Sequence, residues 1–387
     1  MTRKERVRAA IEHREPDTVP IAEWIIDYEP ASLVLGRPTF LRGKARLAHA
    51  LWAGRRDEVV ASVKRDLVEL VRRLDLDMVC ADLTYPRGLT WEPPEQVDHE
   101  TWRDRHGNVF RYSELTRDLM LMQAGERGYE PERPARDEWQ EQAPAERAWK
   151  PDPSELEVIE HVLGELGGTH FTFTGMGRAG LPIFTALWVE RDLLRLADED
   201  PDVLAAERLE SAEWSARRMP FFARLGLDAI LGGEDYGFNS GPFMSPETFR
   251  RVHFPGLRRI CEAAHQNGLF YICHSCGNLR AILPLMIEAG IDVYQAIQPI
   301  EDIAGLKRDF GKDVCLWGGV SNHDLVRAGP DEIRRQVRHA VESCAAGGGF
   351  ILGSSHSITV QTPLENIMAM LEAAGRHPRP APEPVPA

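Results

Sequence analysis

Nowhere does the 387-residue chain hold the roughly 20 consecutive apolar residues that span a bilayer, so no membrane protein is expected. Positive charge is scarce as well. Lys and Arg number 46 against 60 Asp and Glu, a net charge of −14, and a field of that sign repels nucleic acid and anionic membrane surfaces. A small-molecule partner is the expectation that remains. The opening Met1-Thr2-Arg3-Lys4-Glu5-Arg6 is of mixed charge and reads as no signal peptide. The six cysteines, at 80, 261, 273, 276, 315 and 344, follow no disulfide framework, which suits a reducing, cytoplasmic location with free or metal-bound thiols. No G-x-G-x-x-G follows the first apolar segment, which removes the usual mark of a dinucleotide fold. No second C-x-x-C accompanies Cys273-x-x-Cys276, so a structural zinc knuckle is disfavoured.

What the chain does have is alternation. Apolar segments at 17–24, 78–83, 170–175, 229–235, 269–278, 293–297, 314–318 and 350–354 read as strands, and nearly all are followed by a segment of helical period. Helices are expected at 3–12, 56–74, 154–165, from Ser245 to Gln266, and at 302–310, 330–346 and 363–374. Strands apolar on both faces and alternating with helices imply a parallel sheet, and eight such units an α/β fold of the (β/α)8 TIM-barrel type. Residues 87–150 break the rhythm: 101–112 resembles a β-hairpin, and 125–153 is Pro- and charge-rich. They are read as a hairpin and loop insertion after the second strand, over one rim of a single domain spanning 1–376. Residues 377–387 are Pro-rich and are expected to be a disordered tail.

In such a barrel the chemistry sits at the carboxyl ends of the strands. Those ends carry Glu23 and Trp24, Asp82, Thr174 to Met176, Glu234 to Tyr236, His274 and Cys276, Gln298, Ser321 with Asn322, and Ser355 with His356. Side chains alternate along a strand, so His274 and Cys276 project one way and Cys273 the other. An imidazole and a thiol on one wall can hold zinc; alternatively they are a core His and a small apolar filler. His356, delivered to the same rim by the eighth strand, is the natural third ligand, and three ligands with a vacant fourth position are the arrangement of a catalytic zinc. Glu234 or Asp235 is a further ligand, a base or a substrate anchor, or else caps the loop before Ser245. Asp82 faces the barrel mouth as a catalytic carboxylate or bonds loop amides. Trp24, Met176, Tyr236 and Gln298 are candidate substrate-contacting walls.

These residues resemble the uroporphyrinogen decarboxylase superfamily, a barrel family that includes the porphyrinogen decarboxylase and zinc-dependent, corrinoid-linked methyltransferases. The resemblance runs from Arg3-Lys4-Glu5-Arg6-Val7 and Pro16-Asp17-Thr18-Val19-Pro20 to Thr362-Pro363-Leu364-Glu365-Asn366-Ile367. Its most specific pieces are His274-Ser275-Cys276-Gly277-Asn278, Trp317-Gly318-Gly319-Val320-Ser321 and Ser355-His356-Ser357-Ile358. Where the decarboxylase branch has an arginine-rich Met-Arg-Gln-Ala-Gly-Arg, this chain has Ala22-Glu23-Trp24-Ile25-Ile26-Asp27-Tyr28-Glu29, an acidic stretch that would repel a polycarboxylate. Asp82 and His356 match the decarboxylase's central Asp and late His. The methyltransferase branch holds zinc with a His-x-Cys and a distant Cys; His274 and Cys276 match the first two, and His356 stands at the third. The resemblance implies an enzyme that moves a methyl group between a small molecule and a corrinoid on a partner protein, with zinc on His274, Cys276 and His356. The alternatives are a metal-free decarboxylase or lyase using Asp82 and His356, and a non-catalytic barrel that binds a corrinoid or tetrapyrrole.

Overall fold

The computed structural model describes residues 1–125, 151–175, 196, 200–233 and 235–381. Helix α1 (Arg3–Ile11) opens with a capping box, in which Glu5 N donates to Thr2 Oγ1 at 3.1 Å and Thr2 N to Glu5 Oε2 at 2.8 Å. Helices α2 (Tyr28–Leu35), α3 (Lys44–Trp52) and α4 (Arg56–Leu74) follow. In α4 the acidic Asp57 and Glu58 lie in the first turn and Arg72 and Arg73 in the last, as the helix dipole favours. Strand β1 (Met78–Cys80) then begins the parallel sheet.

Four antiparallel strands come next: β2 (Glu95–Gln96), β3 (Thr101–Arg103), β4 (Val109–Ser113) and β5 (Asp118–Gln123). The expected hairpin is therefore the centre of a four-stranded sheet. Its Phe110 and Leu119 pack on Ala45 and Ala48 of α3, and Arg117 Nε reaches Glu29 at 2.9 Å. Most of the exposed loop expected after it, residues 126–150, lies outside the described residues, as do 382–387 of the expected tail.

The chain continues through α5 (Glu157–Leu166), β6 (Phe171–Thr174), α6 (Pro201–Leu225), β7 (Ala229–Gly232), a short ribbon of β8 (Gly237–Phe238) and β9 (Gly241–Pro242), α7 (Pro246–Val252), α8 (Phe254–Gln266), β10 (Phe270–His274), α9 (Leu283–Ala289), β11 (Val293–Ile297), α10 (Ile303–Phe310), β12 (Cys315–Val320), α11 (Asn322–Arg327), α12 (Pro330–Cys344), β13 (Phe350–Ser354) and α13 (Leu364–Ala373). The single helix expected from Ser245 to Gln266 is two. Pro255 lacks the N–H that a continuous helix would need, and the chain breaks at His253.

Seven strands form one parallel sheet in the order β1, β6, β7, β10, β11, β12, β13. Both edges reach the segment around Ile21: Leu352 N donates to Pro20 O at 2.9 Å, Ala22 N to Leu352 O at 3.0 Å, and Asp77 N to Ile21 O at 2.8 Å. The sheet thus curls as in a TIM-type barrel. Inward residues of its strands (Met78, Phe171, Phe173, Leu231, Ile272, Val293, Trp317, Ile351) make an inner core, joined by Val7, Ala10 and Ile11 of α1. The alternate residues, Tyr271 and Cys273 among them, join the helix layer. Fully buried Asp77 fastens α1 at the base, accepting from Arg6 Nη1 at 2.7 Å, from Ile21 N at 2.8 Å and from Arg376. With α1 across the amino ends of the strands, the carboxyl ends are the open side.

Candidate metal centre

At the carboxyl end of β10, His274 continues the inward face of Ile272, and the chain turns immediately to Cys276. That turn is tied down on every side. Cys276 N donates to Asp235 Oδ1 at 2.8 Å, Gly277 N to Gln298 Oε1 at 3.3 Å, Asn278 N to Phe238 O at 2.9 Å and Leu279 N to Glu301 Oε1 at 3.3 Å. Gly277 has φ +97° and passes so close to the β8 ribbon that a Cβ would lie 2.3 Å from Gly237 O. Only glycine fits there.

His274, Cys276 and His356 meet as the sequence suggested, their ligand atoms all within 4.8 Å of one another. Cys276 Sγ stands 3.8 Å from His274 Nε2, and the two imidazoles lie 5.3 Å apart, centroid to centroid, at 82°. The orientation of each ring is set from behind. His274 Nδ1 is bonded to Gln295 Oε1, and Gln295 Nε2 donates to His356 O at 3.4 Å. The amide is thereby oriented with its oxygen toward His274, so Nδ1 carries the proton and Nε2 presents a lone pair. His356 Nδ1 bonds Ser357 Oγ at 2.8 Å, which directs its Nε2 the other way.

Burial, reinforced by His356, pulls the His274 pKa down to about 4, and burial also lowers that of His356. Both rings are held neutral, the form a metal ligand needs. Burial and then Asp235 push the Cys276 thiol well up, so metal binding there would release its proton. Two imidazole nitrogens and a sulfur at these separations fit zinc. Bonds of roughly 2.0–2.3 Å in a tetrahedron place donor atoms about 3.5 Å apart, close to the Cys276–His274 distance. Asp235 Oδ1, which accepts from Cys276 N, lies 3.7 Å from His274 Nε2.

The other expected site residues divide. Trp24 lies against the cluster, its ring 4.6 Å from that of His274. Asp82 accepts from Gly175 N at 2.7 Å and Thr174 Oγ1 at 3.1 Å, and burial raises its pKa. Gln298 holds the backbone of the Cys276 turn. The Tyr236 ring is turned away, packed edge-on against Phe249 at 5.1 Å and His253 at 5.2 Å in the helix layer. Glu234 and Met176 lie outside the described residues.

Two supporting residues escape a reading of the sequence for its rim residues alone, and a third has a role that reading does not give. Gln295 is one; its signal is a polar residue inside an otherwise apolar strand. Glu301 is the second, buried with its pKa raised to about 7 by that burial, and it accepts from Tyr294 as well as from Leu279 N. Glu23, expected only as a rim residue, accepts from Ser354 N at 2.7 Å and Ser354 Oγ at 2.5 Å. Burial lifts its pKa to about 7 against those bonds, and it anchors the strand end that leads to His356.

A curled parallel sheet of seven strands with its candidate site at their carboxyl ends makes this an α/β protein whose fold is consistent with a TIM-type barrel. Residues 159–377 match the uroporphyrinogen decarboxylase (URO-D) family, and the chain belongs to that family. Methylcobamide:CoM methyltransferase MtaA of Methanosarcina barkeri (strain Fusaro / DSM 804) is 30% identical over 222 residues, 57% of this chain and 62% of that protein. A second MtaA from M. barkeri is 31% identical over 135 residues, 35% of this chain and 38% of that protein. A methylated-thiol–coenzyme M methyltransferase of M. mazei is 28% identical over 141 residues, 36% of either chain. The chain thus spans between about a third and three fifths of these curated relatives. A solved methyltransferase structure from M. mazei superposes with a TM-score of 0.62 at 18% identity, over 97% of this chain and 98% of that one, and shares the fold. No described helix is long and apolar enough to cross a membrane.

Proposed function

We propose that the protein is a zinc-dependent methyltransferase of the demethylase type, moving a methyl group between a small molecule and a corrinoid on a partner protein. The observation that carries this reading is the convergence of His274, Cys276 and His356, both imidazoles anchored through Nδ1. The names of the curated relatives, methylcobamide and thiol methyltransferases, support the same chemistry. The barrel is read as (β/α)8, with the segment around Ile21 as its first stave and the antiparallel sheet as an insertion over one rim.

His274 Nε2, Cys276 Sγ and His356 would hold the metal, and Asp235, 3.7 Å from His274 Nε2, would serve as a proton acceptor or a further donor. Zinc held there would supply a Lewis acid able to lower the pKa of a bound heteroatom. In the demethylation direction the bond from methyl carbon to heteroatom would break, the heteroatom would keep the electron pair, and a reduced corrinoid on the partner protein would accept the methyl group. Asp82 supplies the proton that the heteroatom then needs. Burial holds its carboxyl above the ordinary range, which suits a general acid. Glu234 is assigned to proton handling with Asp235, Trp24, Met176 and Gln298 to shaping the pocket, and Tyr236, whose ring packs in the helix layer, to backing that wall through the bond from its N–H to Ser275 Oγ; Trp24 lies against His274, and Gln298 accepts from Gly277 N.

The test is anaerobic methyl transfer to cob(I)alamin, followed by its loss of absorbance, with a panel of methylated ethers, thioethers and amines as donors. Transfer from one of them, abolished by Cys276→Ala, is expected. Protein with one zinc per chain that transfers methyl from none of these donors would overturn the assignment.

A further inference from the structure

Next to Trp24 the described residues line a partly open cavity of about 300 Å³ bounded by α4, β1 and the segments around Trp24 and Leu41. Its body is hydrocarbon: Phe40, Leu47, Val59, Val63 and Leu67 line it, three of them spaced along one face of α4. Its charged groups are few. Glu23, Asp82 and Arg42 are the charged residues of the lining, and Arg42 is the sole cation among them.

Protein interiors are packed to crystal density, and a void of this size among buried aliphatic side chains forfeits contacts on every wall. Water does not settle in such a space unless polar partners surround it. An anionic tail would be stripped of its solvent there with a single guanidinium for a partner. The space is also larger than a one-carbon substrate fills. It has room for a body of several non-hydrogen atoms. Trp24 belongs to the cavity lining and also touches the cluster, through its ring contact with His274, so the indole ring is what links an occupant of the cavity to the metal ligands.

We propose that this chamber takes the apolar body of an uncharged methylated substrate, an alkyl or aryl ether or thioether, with its methylated heteroatom at Trp24 and Asp82. The assignment rests on the methyl-transfer reading for what happens at that heteroatom, but the binding itself needs neither zinc nor corrinoid.

The probes are methoxyethane, methoxybutane and methoxyhexane, with methoxybenzene and methoxyacetate as aromatic and anionic comparators. They are titrated calorimetrically into the full chain without any corrinoid, both zinc-loaded and zinc-stripped. Affinity is expected to rise about threefold to fourfold per added methylene, as burial of a CH2 dictates, with methoxybenzene bound and methoxyacetate not. Val63→Trp, which fills the chamber from α4, is expected to weaken methoxyhexane at least tenfold. Should that variant not fold, Leu67→Ala enlarges the same space and is expected to shift the preference toward longer chains. Affinities independent of chain length, methoxyhexane bound to Val63→Trp as to the parent, or an unshifted preference in Leu67→Ala would overturn the proposal. A flat series in protein that carries zinc and transfers methyl groups removes the chamber alone. A rising series in protein that takes up no zinc removes the metal reading alone.

Discussion

Gln295 offers the sharpest test of how the cluster is held. Its side chain is 1% exposed and joins both imidazole-bearing strands, accepting from His274 Nδ1 and donating to His356 O. Replacing it with Leu keeps the volume and the apolar surroundings but removes both bonds. The Nδ1–H of a buried ring is then left without an acceptor, a loss of about 1–3 kcal/mol, and nothing fixes which nitrogen faces the cluster. Partners of this kind are worth ~10–100-fold in metal affinity, or about 1.4–2.8 kcal/mol. Zinc dissociation constants measured by competition with a chromogenic chelator are therefore expected to weaken by that factor in Gln295→Leu, with circular dichroism unchanged. An affinity within twofold of the parent would refute the role given to Gln295 and with it the orientation of His274.

Further expectations follow from the same geometry. Asp82→Asn preserves shape but removes the proton donor, so methyl transfer is expected to fall ~10²–10⁴-fold, the usual worth of a general acid, while zinc content stays at one per chain; transfer at the parent rate would remove Asp82 from the chemistry. Gly277→Ala drives a methyl group into Gly237 O and is expected to lower both the melting temperature and zinc affinity, whereas wild-type values in both would show that the turn relaxes freely. His253, buried between Tyr236 and Phe249, has its pKa pulled from 6.5 to about 3, by burial first and then by Arg208. Its contribution is complete above pH 6.5, where both states are neutral. It is lost as pH falls toward 3, because the unfolded chain takes up a proton that the folded one excludes, at up to about 1.4 kcal/mol per pH unit. Melting temperatures of His253→Leu are expected to fall less steeply than those of the parent between pH 6.5 and 4; parallel curves would contradict this.

The site was legible where the signal is local. Two-residue spacing suggests a shared wall for His274 and Cys276, although β10 ends at His274 and the turn after it is what carries Cys276 there, and counting strands brings His356 to the same rim. Gln295 was not legible in that way, because its partner lies 21 residues back and the pairing that sets them opposite, His274 to Gln295 across β10 and β11, is a register between strands. The helices carried a similar limit. The amphipathic period of α4 predicts its full length, Arg56 to Leu74, but α2 and α3 are short, of eight and nine residues, too short for their period to stand out. The hairpin at 101–112 was visible from its Asp104-Arg105-His106-Gly107-Asn108 turn. Its flanking strands were not, since the sheet completes its core with Ala45 and Ala48, which lie far away in sequence. For Tyr236, an aromatic at a strand end, the sequence does not reveal the two aromatic partners that its ring has in the helix layer.

The central claim is that His274, Cys276 and His356 together form a zinc site. Metal analysis of the full chain, purified without a histidine tag and dialysed against a weak chelator, tests it directly. One zinc per chain is expected in the parent, with loss of most of it in both Cys276→Ala and His356→Ala. Substoichiometric zinc that neither substitution changes would contradict the account.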